Sequence, residues 1–213
     1  MKTGYIGLYF VAVILLASCQ KEIDWGLSTG TSTDYQPVSA NSTWAYTSTS
    51  MGNYTVKSIG TDSLINGLRY YKFDRTGSGA TSRFYVNKTG VTYRQYGFFP
   101  LASQVIDLFF LKDSAVGTTW TNTITVSGFS SYHKYTVAAR GIQRVVNGTT
   151  FNNVIELDYR FTLDNPFGGG TINAGGGKNY YAKGVGAIES FYTIGYLAVN
   201  ISDTTRLTSY TIY

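Results

Sequence analysis

From Tyr35 to the end of the chain, short runs in which apolar and polar residues alternate recur between turn signals, and this pattern leaves little room for anything but strands. The runs are Trp44–Ser48, Tyr54–Thr61, Leu68–Asp74, Ser82–Asn87, Val91–Tyr96, Gln104–Leu111 and Thr119–Val126. They continue through His133–Ile142, Asn153–Thr162, Asn179–Ala182, Ala187–Ile194, Leu197–Ser202 and Leu207–Ile212. Asn66-Gly67 and Asn147-Gly148 each separate two such runs. Asn-Gly tolerates positive φ at both central turn positions and so marks a tight hairpin. No window shows a helical period, although "QVIDLFFL" (104–111) also suits a short buried helix. Composition agrees: 16% of the chain is aromatic, with 19 tyrosines, and only 14% is charged. Aromatic and β-branched residues fit a pleated, half-buried surface.

The two halves of this region repeat a set of landmarks in the same order. "ANSTW" ends at Trp44, and "VGTTW" ends at Trp120. Tyr54-Thr55-Val56 is matched by Tyr135-Thr136-Val137, and Asn66-Gly67 by Asn147-Gly148. "FYVNKTGV" is matched by "YYAKGVG". The reading is an all-β domain over residues 35–213, built from two similar β-meander halves (about 35–100 and 111–190). It forms an antiparallel β-sandwich or a curved, barrel-like sheet of ten or so strands. Trp44 and Trp120 are each expected to plug one half-core, because large aromatics dominate burial. In Tyr70-Tyr71 and Tyr180-Tyr181, alternation places one tyrosine inside and its neighbour outside.

The N-terminus carries a different message. Met1 and Lys2 precede an apolar stretch from Tyr5 to Ala17, shorter than the ~20 residues needed to span a bilayer. A positive end, a short apolar stretch and small residues before a cut site describe a signal peptide, here residues 1–18. Leu16-Ala17-Ser18-Cys19 resembles the bacterial lipobox, in which the thiol is acylated and the chain is cut just before the cysteine. Cys19 is the only cysteine of the chain, and an exported protein has reason not to leave it free. Gln20-Lys21-Glu22 is similar to the export signal that sends Bacteroidota lipoproteins to the outer face of the outer membrane. A lipid anchor in that membrane, with the protein facing the exterior, is what this resemblance implies. Residues 19–34, rich in Ser, Thr and Gly, read as a flexible tether.

"YQPVSANSTWAY" (35–46) and "YYAKGVG" (180–186) resemble the opening and closing motifs of a family of Bacteroidota lipoproteins, and "NGTTFNNVIEL" (148–157) fits the same pattern. The family has no assigned reaction, so the resemblance implies no catalytic residues.

Chemistry-bearing groups are sparse. His133 is the only histidine, and no Gly-x-Ser-x-Gly elbow accompanies it, so it reads as an exposed strand residue. One histidine and one acylated cysteine nearly close the zinc option; calcium on Asp and Asn oxygens stays open, but no Asp-x-Asp-x-Asp run is present, and no metal or cofactor is expected. Glu156 and Asp158 share one face of a strand at a spacing a glycosidase could use, with neighbouring arginines as the competing ion-pair partners. The glycines between Arg160 and Tyr180 do not fit a phosphate-loop register and read as a long mobile hairpin loop. Asp62-Ser63-Leu64, Asp113-Ser114-Ala115 and Asp203-Thr204-Thr205 resemble the O-glycosylation motif of exported Bacteroidota proteins, with Ser63, Ser114 and Thr204 as acceptors. The net charge is +5, but the basic residues stand singly, which argues against a nucleic-acid partner. The expected function is non-enzymatic: binding, with a glycan as favoured ligand, or envelope structure. The alternative is a glycoside hydrolase, or another hydrolase, using Glu156 and Asp158.

Overall fold

The computed structural model describes residues 33–77, 79–99, 103–126, 128–165, 167–196 and 199–213. Leu16, Ala17, Ser18, Cys19 and most of the tether lie outside these residues.

The described residues form twelve strands and no helix. They are β1 (Thr43–Ser48), β2 (Gly52–Ile65), β3 (Leu68–Gly77), β4 (Ala80–Thr89), β5 (Thr92–Phe99) and β6 (Gln104–Lys112), followed by β7 (Thr119–Val126), β8 (Phe129–Val146), β9 (Thr149–Asp164), β10 (Thr171–Ala182), β11 (Gly186–Tyr196) and β12 (Val199–Thr211). All belong to one antiparallel sheet in the order β6-β5-β4-β3-β2-β1-β12-β11-β10-β9-β8-β7, curled nearly into a barrel. The architecture is therefore the barrel-like option and not the sandwich. Two six-strand meanders are joined where β1 pairs with β12, Trp44 opposite Tyr210. Both Asn-Gly turns form as read, with φ of 51° and 76° at Asn66-Gly67 and 48° and 81° at Asn147-Gly148.

Three local readings change. "QVIDLFFL" is strand β6, whose backbone pairs with β5 from Thr92–Lys112 to Phe99–Gln104. The last two runs fuse into β12, because Asp203 is buried and bonded instead of turning the chain. The glycine-rich stretch is mostly strand. Only a short turn separates β9 from β10, closed by Asn165 N–H donating to the Gly170 carbonyl at 2.8 Å. Gly175, Gly176 and Gly177 lie inside β10, where a Cβ would meet backbone oxygens of Thr193, Tyr159 and Phe191 at 2.0, 2.4 and 2.0 Å. Glycine is required there by the closeness of β9 and β11, not by mobility.

The open seam lies between β6 and β7, and side chains close it. Asn122 is 7% exposed. Its Oδ1 accepts from Phe109 N–H and its Nδ2 donates to the Phe109 carbonyl, both at 2.9 Å. The amide thus stands in for a strand's backbone pair. Trp120 Nε1 donates to the same carbonyl at 2.8 Å, and Gln104 Nε2 to Thr125 O at 3.1 Å. Replacing Asn122 with leucine strands Phe109's donor and half its acceptor capacity. The expected loss is about 2 kcal/mol, read as a lower denaturant midpoint. An unchanged midpoint would show that the seam needs no polar closure.

The core has two centres, one per meander tryptophan. Trp44, Phe73, Val86, Val154 and Ile188 anchor the first. Trp120, Val137, Ile155, Leu157, Tyr93 and Leu111 form the second, which Tyr35 joins from the segment ahead of β1. That segment runs across the end of the barrel bearing the β4–β5 and β10–β11 turns. Tyr35 N–H donates to Tyr93 Oη at 3.2 Å, Gly184 N–H to Asp34 O at 2.8 Å, and Ser58 Oγ to Val38 O at 2.8 Å.

The tip of the long β8–β9 hairpin folds over β10, β11 and β12. Arg144 stacks on Tyr180, its Cζ 3.5 Å from the ring centroid, and pairs with Glu189. Asn147 Nδ2 donates to Leu207 O at 2.9 Å, and Phe151 meets Tyr210. This cover corrects the tyrosine reading: Tyr180 is buried under Arg144, while Tyr181 lines an internal cavity. Neither is a free surface aromatic.

Candidate ligand-binding cavity

Alternation on β1 and β3 sends Trp44, Tyr46, Phe73 and Arg75 toward the barrel interior, where facing residues from β2, β4 and β11 meet them. Between them lies a cavity of about 160 Å³. Its walls are aromatic. Tyr46 and Tyr54 stack at 5.2 Å, Phe84 and Trp44 are backed by Phe73 at 5.4 and 5.9 Å, and Phe110 and Tyr181 complete the lining. Gln36, Gln95, Ser190 and Thr205 add uncharged polar groups.

The polar ends of two wall residues are already committed. Trp44 Nε1 donates to Val185 O at 2.6 Å, and Tyr46 Oη donates to Ala187 O at 2.9 Å. Burial first, then the nearby Tyr54 hydroxyl, raises the Tyr46 phenol well above its ordinary range, so it stays protonated.

Two charged groups, Glu189 and Arg75, line this space, and a third, Asp203, lies behind Thr205. Glu189 is 6% exposed and accepts from Arg144 Nε at 2.7 Å and Arg206 Nε at 2.8 Å. Asp203 is 2% exposed and accepts from Ser48 Oγ, Ser50 N–H, Ser50 Oγ and Thr205 Oγ1 at 2.5 to 3.0 Å. Burial raises its pKa, but bonds from Ser48, Ser50 and Thr205 outweigh this and hold the carboxyl below its ordinary value. Arg75 Cζ sits 5.4 Å from the Tyr54 ring and 5.6 Å from the Phe84 ring, and no carboxylate among the described residues pairs with it. Beyond Tyr54 and Arg75 an open groove of about 320 Å³ continues past Ser50, Met51 and Ser82.

The residues singled out in the sequence are placed elsewhere. His133 is buried at 4% exposure, contrary to the expectation of an exposed residue. It shares the inward phase of β8 with Tyr135 and Val137, and Phe161 and Phe99 pack on its ring at 4.8 and 5.8 Å. Its bonds order themselves. Ser131 Oγ donates to Ile124 O at 2.8 Å, so it can accept from His133 Nε2–H at 3.3 Å. Nδ1 then accepts from Tyr159 Oη at 2.8 Å. That network suits a neutral ring, and burial pushes the imidazole pKa down to about 4.

Glu156 and Asp158 share a face, as read, but not a pocket. Lys178 on β10 pairs with Glu156 and lies 3.4 Å from Asp158. Bonding to Glu156 raises the Lys178 pKa. The partner is thus Lys178 and none of the neighbouring arginines: Arg144 serves Glu189, and Arg140 serves Asp113. A groove of about 320 Å³ reaches Asp158, between Lys134 and Arg160, but is not lined by Glu156. Ser63 lies on β2 opposite Tyr70, Ser114 in the β6–β7 loop and Thr204 on β12, all half-buried. No group of three or more His, Cys, Asp or Glu converges among the described residues.

The sequence missed the cavity, yet a signal existed. Arg75 falls on the same alternation phase as Phe73, and Asn122 on that of Trp120 and Ile124. A polar residue on the core phase of a strand marks a group that the interior must satisfy.

The fold and cavity define a twelve-stranded antiparallel meander barrel with an aromatic interior. No protein-family model matches the sequence, and comparison with curated proteins gives no match. A solved structure similar in fold is that of a "putative lipoprotein" from Parabacteroides distasonis, with a TM-score of 0.51 at 10% sequence identity, covering 84% of this chain and 99% of that one.

Proposed function

We propose that this chain is a lipid-anchored lipoprotein of the outer membrane, facing the exterior, whose barrel binds a glycan without altering it chemically. The aromatic cavity bordered by Gln36, Gln95, Ser190, Thr205 and Arg75 carries the reading. Flat aromatic faces suit sugar rings, and a few convergent polar groups suit their hydroxyls. The lipobox at Leu16–Cys19 supports the anchor, as does a shared fold with a Bacteroidota protein described as a lipoprotein. The pairing of Lys178 with both Glu156 and Asp158 favours binding over hydrolysis, since one ammonium serves both carboxylates as a shared counter-ion.

The detergent-solubilised mature protein is expected to retain a subset of saccharides on a glycan array, and Tyr54→Ala is expected to abolish that retention. Retention of no saccharide would reject the ligand class. Cys19→Ala is expected to move the protein from the outer-membrane fraction to the soluble one. A variant that still pellets with the membrane would reject the anchor.

A further inference from the structure

We propose that the cavity beside Tyr54 is a subsite for an acidic sugar, in which the Arg75 guanidinium takes the carboxylate of a hexuronate. This rests on the glycan-binding reading above and names its ligand. Arg75 presents an unsatisfied donor. Arg75 Nε is buried and has no hydrogen-bond partner among the described residues. Buried polar groups in native folds are nearly always bonded, so such an atom calls for a missing acceptor. The faces of Tyr54 and Phe84 hold the guanidinium without using its N–H edge. Glu189, in the cavity lining, and Asp203, bonded to Thr205 of that lining, are each held by several other donors.

A planar fork of donors matches a planar carboxylate, and one uncommitted cation matches one negative charge. The cavity, of about 160 Å³, is open on one side, so a sugar ring can sit partly in it with the rest toward the groove. Trp44 and Tyr46 act as walls only, their polar atoms being spent on carbonyls. Gln95 and Ser190 offer partners for hydroxyls, while Thr205 Oγ1 and Gln36 Nε2 already donate to Asp203 and the Pro37 carbonyl and have their oxygens left to accept. The open groove past Ser50 and Ser82 shares Tyr54 and Arg75 with the cavity, so a saccharide chain can leave by it.

The test is calorimetric titration of the mature protein with glucuronate, glucose and benzoate, repeated on Arg75→Gln. Glucuronate is expected to bind about 10- to 100-fold tighter than glucose, the range of one charge-assisted bidentate pair. Arg75→Gln should erase that preference; it breaks no ion pair but gives up the cation's stacking on Tyr54 and Phe84, so the melting temperature should fall by a few degrees at most. If Arg75→Gln melts far below the parent, Arg75→Lys carries the test: it keeps the charge, loses the fork, and should retain only part of the preference. Glucose binding as tightly as glucuronate, or a preference that survives both variants, overturns the acidic subsite while leaving the glycan reading standing. Benzoate binding alone, or no binding by any of the three, overturns both.

Discussion

Gly177→Ala is expected to cost about 3 kcal/mol or more, the upper end of what overpacking costs. A Cβ at this position would lie 2.0 Å from the Phe191 carbonyl oxygen and 2.6 Å from Tyr192 Cα. Both are backbone atoms of β11, so no side chain can swing aside to make room. β10 is also hydrogen-bonded along both edges, and relief by shifting it would disturb β9 as well. Gly97→Ala is the matched control. Neither glycine has a positive φ, but at Gly97 the nearest atom, Phe84 Cβ, is 3.1 Å away. Its cost should stay below about 1 kcal/mol. Denaturant midpoints of the two variants measure the difference. Equal losses would mean that β10 tolerates a side chain and that the glycines have some other role.

The barrel should also lose stability on mild acidification because of His133. Its pKa in the folded protein is pushed down to about 4 by burial, from an ordinary value of 6.5. The unfolded chain therefore takes up the proton first. Stability is complete above about pH 6.5 and declines as the pH falls toward 4, by about 3 kcal/mol in all at 1.36 kcal/mol per pKa unit. Nothing in the Ser131–His133–Tyr159 network offers the imidazolium a counter-charge. Denaturant midpoints taken between pH 7.5 and 4.5 measure the decline. His133→Gln should begin lower and lose the slope over this window. A parallel decline in that variant would assign the acid sensitivity to other groups. The Asp203 carboxyl, held below its ordinary pKa, contributes only at lower pH, as the pH falls through its depressed value.

These two residues also mark where the sequence was readable and where it was not. Strand type, the Asn-Gly turns and the two tryptophan plugs depend on local pattern, and all appear as expected. Local pattern misleads where tertiary crowding decides. The glycines of β10 look like a loop because glycine is ordinarily a breaker, yet closeness to β9 and β11 selects them. Histidine is ordinarily a surface residue in strands, but the parity of His133 with Val137 already placed it inside. Asn122 closes the seam by imitating a backbone, which no propensity reveals. Arg75 could have been flagged by phase alone. Its lack of a partner needed the positions of Glu189 and Asp203, which come from strands far along the chain. The Lys178 bridge over Glu156 and Asp158 likewise depends on which strand β9 has as its neighbour.

Every strand pairing in the sheet but one joins consecutive strands. The exception, β1 with β12, brings together Thr43 and Thr211. Hairpins form cheaply because their ends are already close, whereas the entropy of closing a loop grows with its length. Almost the whole kinetic difficulty of making this ring therefore falls on a single late zipping step between its first and last staves. Left unpaired, the β1 and β12 edges would be open to pairing with a neighbouring molecule.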